Sequence, residues 1–226
     1  MHLLIVLNDI TLLLAALQLS KSRNHPASEG IALSEALRSY VAELVRLRDR
    51  GSRELPDLSL DDVNKSLIPE AMGVAGPASA VAVAFSLLHE TGHLLSPRYA
   101  SARAGSNEGH DLFAYGDGDA EEIQADDFAA ARLSQVDMTA RLLPQMPRGS
   151  ERERGVDFVK SVGLAALFVT FNVLQPRRGL LWRLTRRTGL TPSKRFKRQA
   201  LKLLSAESAR AARSAVRFST LFRFSD

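Results

Sequence analysis

The chain has 226 residues, of which 45% are hydrophobic, so it is long and apolar enough to bury the core of one domain with or without an appendage. It contains no cysteine, which excludes disulfides, cysteine-ligated zinc sites and thiol nucleophiles and fits a reducing compartment. The net charge of +5 is uneven: residues 177–226 carry fourteen arginines and lysines against two acids, a net +12, and the preceding residues carry −7. We therefore predict a helical domain over 1–176 and a basic helical extension over 177–226 that faces an acidic partner.

Residues 3–19 form the most hydrophobic stretch, so a signal peptide or a membrane anchor must be considered. Asn8 and Asp9 interrupt the stretch, no basic region precedes it, and Lys21 follows where a cleavable signal would have small residues. These features favour a buried helix and a cytoplasmic protein. Membrane association through this helix is the alternative.

Residues 31–49 place leucines and a tyrosine at helical spacing between charged residues, which predicts an amphipathic helix. Leu58 and the residues after it read as the start of a short helix with a serine cap. Gly73, Gly76 and Pro77 together predict a turn that precedes the next helix.

That next helix contains the sequence HETGH at residues 89–93, after a long apolar run at 77–88. Two histidines four positions apart lie on one face of a helix and can bind one metal ion. In the HExxH pattern the carboxylate between them, here Glu90, takes a proton from a metal-activated water. We therefore predict His89 and His93 as metal ligands and Glu90 as a general base; the alternative is a pair of core histidines beside an exposed acid.

Residues 96–120 form a long loop rich in Ser, Gly, Ala and Asp between the histidine helix and the next helical stretch. Loops of this length are more often functional or mobile than idle. Its His110 is best explained as a solvent-exposed loop histidine, with a transition-state donor or an alternative ligand as the other interpretations. Tyr99 and Tyr115 are candidate oxyanion donors, with nothing in the sequence to select one.

A third ligand is expected downstream, because a catalytic zinc normally has three protein ligands and one open position. One face of the helical stretch at 121–130 carries four residues at the i, i+3, i+4, i+7 spacing: Glu122, Ala125, Asp126 and Ala129. The alanines allow a close approach to the histidine helix, so we predict that Glu122 reaches the metal and that Asp126 accepts the free N–H of a ligand histidine. Glu121 points about 100° away and is the weaker candidate.

The combination of HETGH at 89–93 with E-x-x-A-D-x-F-A at 122–129 resembles the gluzincins, zinc metallopeptidases whose third ligand is a glutamate on a second helix. Within that group the second motif is similar to the ImmA/IrrE peptidases, and its Ala-Asp-Asp sequence also resembles the phage-exclusion protease Lit. The resemblance covers residues 80–135. It implies that His89, His93 and Glu122 bind Zn²⁺ and that Glu90 is the general base.

Downstream, prolines and a charged run at 148–154 suggest a connector, and residues 155–175 predict an apolar helix with too short an uncharged run to favour a membrane span. The basic region contains a further predicted helix after Ser193. Its charge is explained either by docking on the acidic body of the same chain or by contact with nucleic acid or anionic lipid.

We accordingly predict a mainly α protein, because no run of period-two alternation occurs, although the resemblance implies a small sheet edge beside the site. The leading hypothesis is a zinc-dependent endopeptidase acting on a protein or peptide substrate. The alternative is a non-catalytic helical regulator or binding module whose basic region contacts nucleic acid or an anionic membrane, an interaction that would weaken steeply with salt.

Overall fold

The structure, a computed structural model, describes residues 3–22, 26–52, 54–58, 60, 67–95, 118–135, 149–174, 198–200 and 202–204. All regular secondary structure in these ranges is helical, which confirms a mainly α protein, and none of them contains the strand that a sheet edge would need. The five helices are α1 (Leu3–Ser22), α2 (Ala27–Asp49), α3 (Leu67–Leu94), α4 (Gly118–Gln135) and α5 (Ser150–Leu174).

Helices α1 and α2 form an antiparallel hairpin. The connection between them is short and Pro26 precedes the first residue of α2. Across the hairpin, the Tyr40 hydroxyl donates a hydrogen bond of 2.5 Å to Oδ2 of Asp9. The apolar stripe of α2 is buried, including Leu33, Leu37 and Leu44, so the predicted amphipathic helix is confirmed and extends to Ala27 at its start.

Helix α1 lies in the core, where Val6, Ile10 and Leu13 have no exposed surface. Asn8 and Asp9, which interrupt its apolar sequence, each have a partner on a neighbouring helix: Oδ1 of the exposed Asn8 accepts from the hydroxyl of Ser79 in α3 at 3.5 Å, and the partly buried Asp9 accepts from Tyr40. The packing of α1 against α2 therefore leaves the carboxylate of Asp9 paired at its partly buried position.

Two described helices, α1 and α3, are long and apolar enough to cross a membrane when judged by length and composition. They differ in how much the rest of the protein covers them: 61% of the most apolar window of α1 is buried, against 33% for α3. The helix at 155–175, for which the sequence raises the same question, does not meet the criterion.

The prediction of a turn at Gly73, Gly76 and Pro77 is wrong, because α3 begins at Leu67 and continues through all three residues. Proline lacks an N–H donor and disturbs the preceding turn, and glycine is a poor helix former. Tertiary packing compensates for both, since Leu67, Ala71, Ala75 and Ala78 on both sides of the proline are buried in the core.

Helix α5 crosses α3 at very short range and in parallel. Its first turn is Ser150 and the charged residues after it, so the run at 148–154 lies largely in the helix and the prediction of a connector there is wrong from residue 150 onward. Gly163 lies against the backbone of Ala78, and further along both helices the rings of Phe85 and Phe168 meet edge to face at 6.1 Å between centroids.

A short helical turn at 198–203 shares this core. Gln199 has no exposed surface, and Ala200, Leu203 and Leu204 are buried in the same apolar cluster as α1 and α3. The described part of the basic region is therefore packed on the helical body. The start of the helix predicted after Ser193 and the aromatic and basic residues before it lie outside the described residues.

We expect Gly163→Ala to lower the free energy of unfolding by about 1–3 kcal/mol, the usual cost of forcing extra volume into a packed core. The added Cβ would lie 2.3 Å from the carbonyl oxygen of Ala78, so α3 or α5 must move. Gly73→Ala is the matched control, because a Cβ at that exposed helical position meets nothing within 4 Å. Chemical denaturation measures both; a control that is destabilised as much as Gly163→Ala would contradict the packing argument.

Candidate metal centre

The histidine pair lies in the last two turns of α3. His89 is 5% exposed and points into the protein, whereas His93, one turn later, is partly exposed. Their Nε2 atoms lie 3.0 Å apart, and the rings meet edge to face with centroids 4.6 Å apart. The spacing of four residues therefore brings the two imidazole rings together on one face of α3, as predicted for two ligands of one metal ion.

Helix α4 brings Glu122 to the same spot. One carboxylate oxygen, Oε2, is 3.6 Å from Nε2 of His89, and the other, Oε1, is 3.4 Å from Nε2 of His93. Ligand atoms of the three residues all lie within 4.8 Å of one another, and they form the one such group of histidine and acidic side chains within the described ranges. Glu121 does not belong to it.

A close contact between two small residues makes this convergence possible. A Cβ added to Gly92 would lie 2.9 Å from the Cα of Ala125 and 3.3 Å from its carbonyl oxygen. Side chains one turn away on each helix are therefore brought face to face, which places the histidines of α3 opposite the acids of α4. The sequence indicates that alanines allow a close approach, but it does not single out Gly92 as the residue that requires one.

Asp126 lies behind His89, on the side away from the other histidine. Its carboxylate is almost fully buried, and Oδ1 is 3.0 Å from Nδ1 of His89. The two atoms are at hydrogen-bond distance but not aligned as a hydrogen bond, so Nδ1 is a buried atom without a satisfied partner. In the tautomer that carries its proton on Nδ1, the ring presents this proton on the side of the Asp126 carboxylate and the Nε2 lone pair on the side of Glu122 and His93.

The group is closed on one side and open on the other. The side chain of His89 is 6% exposed, that of His93 is 28% exposed and that of Glu122 is 35% exposed. Glu90 follows His89 on the outer face of α3 and is exposed. A ligand that reaches the three donor atoms would thus approach from the side of His93 and Glu122.

Of the other residues considered from sequence, Tyr99, His110 and Tyr115 lie outside the described residues. Asp127, next to Asp126, has partners that sequence reasoning did not identify, namely Arg198, Gln199 and Lys202. The only signal for them was the charge contrast between an acidic body and a basic C-terminal region.

No family model matches this sequence, and neither a curated protein nor a solved structure matches the chain.

We expect the purified protein to bind one zinc ion per chain and Glu122→Ala to reduce that binding at least tenfold, because removing a third ligand leaves two histidines alone. Glu121→Ala is the matched control, since it removes the neighbouring carboxylate, which is not in the group. Competition with a chromophoric chelator measures both affinities. Equal affinities in the two variants would contradict the assignment of Glu122.

Proposed function

We propose that this protein is a zinc-dependent endopeptidase in which His89, His93 and Glu122 hold the metal and Glu90 is the general base. The observation that carries the proposal is the triangle of donor atoms formed by the histidine pair of α3 and the glutamate of α4. The resemblance of both sequence motifs to the gluzincins supports the same assignment.

The size of the donor group is compatible with zinc. Tetrahedral bonds of about 2.0–2.1 Å to nitrogen and oxygen place neighbouring ligand atoms about 3.3 Å apart. The two Nε2 atoms are 3.0 Å apart, Oε1 of Glu122 is 3.4 Å from Nε2 of His93, and Oε2, the other oxygen of the same carboxylate, is 3.6 Å from Nε2 of His89. The donor set of two imidazoles and one carboxylate is also one that zinc accepts, and the cysteine-free sequence offers no thiolate alternative.

The pattern of exposure favours catalysis over a structural role. Structural zinc sites are closed by four protein ligands, whereas catalytic sites keep one position for water or substrate. Here three donors converge from two helices, and the side formed by His93, Glu122 and the exposed Glu90 reaches solvent. Among the described residues, no further histidine or acidic side chain joins the three donors, so this side is the one along which a peptide would approach.

A bound zinc would polarise the scissile carbonyl and lower the pKa of a water molecule towards neutrality. The proton transfers are carried out by a side chain of the protein: Glu90 accepts a proton from the attacking water and delivers it to the leaving amine. Asp126 orients His89 by accepting its Nδ1 proton, which keeps Nε2 available as a ligand. Gly92 contributes only by having no side chain, because the two helices could not otherwise meet.

We expect Glu90→Gln to bind zinc as the wild type does and to lose at least a hundredfold in peptide cleavage, because the amide cannot accept the proton. Activity is measured on a pool of denatured proteins or peptides by mass spectrometry, with zinc content determined on the same samples. Thr91→Val is the control: its hydroxyl donates to the backbone of Leu87 within its own helix, so its loss should leave cleavage intact. Full activity in Glu90→Gln would eliminate this mechanism.

We further propose that the protein acts in the cytoplasm. In support, α1 is held in the core through apolar packing, and its Asp9 accepts a hydrogen bond from Tyr40 of α2. The apolar residues that remain exposed on α3, among them Met72, Leu87 and Leu94, make membrane association the competing possibility.

Cell fractionation separates the two locations. We expect the chain in the soluble fraction, because the apolar side chains of α1 are largely buried in the core. Recovery with the membranes, whether the chain is then released by alkaline carbonate or retained, would overturn the cytoplasmic assignment. The Leu87→Ser, Leu94→Ser double variant then tests whether the outer face of α3 is responsible, since both residues are more than half exposed and contribute little to the core.

A further inference from the structure

Asp127 on α4 has three partners in the C-terminal region. Arg198 donates two hydrogen bonds to the Asp127 carboxylate, from Nε to Oδ1 at 3.2 Å and from a terminal nitrogen to Oδ2 at 2.8 Å. Gln199 donates to Oδ1 at 3.3 Å, and the Lys202 ammonium forms an ion pair with the same oxygen. We refer to Arg198, Gln199 and Lys202 together as the basic clamp.

The basic clamp is anchored in the core. Gln199 has no exposed surface, and its neighbour Ala200 is buried with Leu203 and Leu204 in the apolar cluster of the helical body. The side chains of Arg198 and Lys202 therefore extend from a packed turn. Their ion pairs with Asp127 cost less conformational entropy than ion pairs between side chains on two mobile surface segments.

The electrostatics of Asp127 reflect this environment. Partial burial would raise the pKa of its carboxyl, but the hydrogen bonds from Arg198, Lys202 and Gln199 outweigh burial and lower the pKa from 3.8 to about 2. Because the folded-state pKa is lowered, the clamp's contribution to stability is complete above pH 3.8 and is lost as the pH falls towards 2. The contact is therefore fully formed at neutral pH.

Asp126 and Asp127 are consecutive and point about 100° apart around α4. Asp126 faces His89 of the histidine pair, and Asp127 faces the basic clamp. Glu122 lies one turn before Asp126, on the same side of the helix. Turning α4 about its axis in either direction would break one of these two contacts and move the Glu122 carboxylate away from the histidines.

We propose that the basic clamp is a positioning element of the metal centre, which fixes the rotation of α4 through Asp127 and thereby holds Glu122 on the histidine pair. The inference rests on the metal binding in the proposed function and does not depend on peptide cleavage. It assigns Asp127, Arg198 and Lys202 an effect on zinc although none of them is a ligand. It also gives the C-terminal basic region a partner inside the same chain.

The experiment compares zinc affinity in four proteins: wild type, Asp127→Asn, Arg198→Gln and the double variant that carries both changes. Affinity is measured by chelator competition, and the ligand geometry is measured from the visible spectrum of the Co²⁺-substituted protein. Glu121→Gln is the matched control, because it removes one negative charge from the same helix outside the donor group.

We expect each single variant to bind zinc about tenfold more weakly, the lower end of what is lost when groups that orient metal ligands are removed. The double variant should be no weaker than the worse single variant, because both changes break one contact. The Co²⁺ spectrum should lose intensity as Glu122 leaves the tetrahedral set, and Glu121→Gln should match the wild type in both measurements.

Other outcomes separate the proposals. If the wild type binds zinc and the clamp variants bind it equally well with unchanged spectra, the clamp only stabilises the fold and this inference is overturned, whereas the proposed function stands. If the clamp variants lose affinity but the wild type cleaves no peptide, the peptidase proposal fails and the clamp stands. A wild type without zinc affinity overturns both. Should Asp127→Asn fail to fold, Lys202→Gln, which removes one exposed partner, must still weaken zinc binding.

Discussion

The candidate metal centre depends on two helices touching backbone to backbone at Gly92 and Ala125. The contact lies at the same place in both motifs: Gly92 follows His89 by three positions and precedes His93 by one, and Ala125 has the same spacing from Glu122 and Asp126. His89 and His93 therefore flank the contact on α3, as Glu122 and Asp126 flank it on α4. Since side chains one turn apart share a face, a single close crossing is sufficient to bring four polar groups together.

These four side chains differ in how deeply they are buried. His89 and Asp126 are enclosed, so their geometry is set by packing and by each other. His93 and Glu122 reach the surface, where a substrate could meet them. The candidate site thus combines a buried pair, His89 and Asp126, with a partly exposed pair, His93 and Glu122, and an accessible position on a rigid support is a general requirement of a site that binds a metal and a substrate.

The sequence predicts some features of this structure well and others poorly. The helix at 27–49 has a clear amphipathic period, and HETGH and E-x-x-A-D each place their polar residues on one face, so local spacing was sufficient to choose them. The turn predicted at Pro77 is wrong because the cost of a proline inside a helix is offset by burial of the residues before and after it. Local sequence rules do not include this tertiary packing. The basic clamp was not predictable either, but for a different reason. Fourteen arginines and lysines lie in 177–226, and nothing in their spacing identifies Arg198 and Lys202 as partners of Asp127.

The contacts described above also differ in how late they become possible as the chain is synthesised. Tyr40 and Asp9 are 31 residues apart, so the first hairpin can close early, whereas Arg198 is 71 residues beyond Asp127. Contacts between distant residues carry a larger loop-closure cost and form later. A nascent chain therefore contains every side chain of the candidate donor group well before it contains Arg198 and Lys202, the cations that contact Asp127.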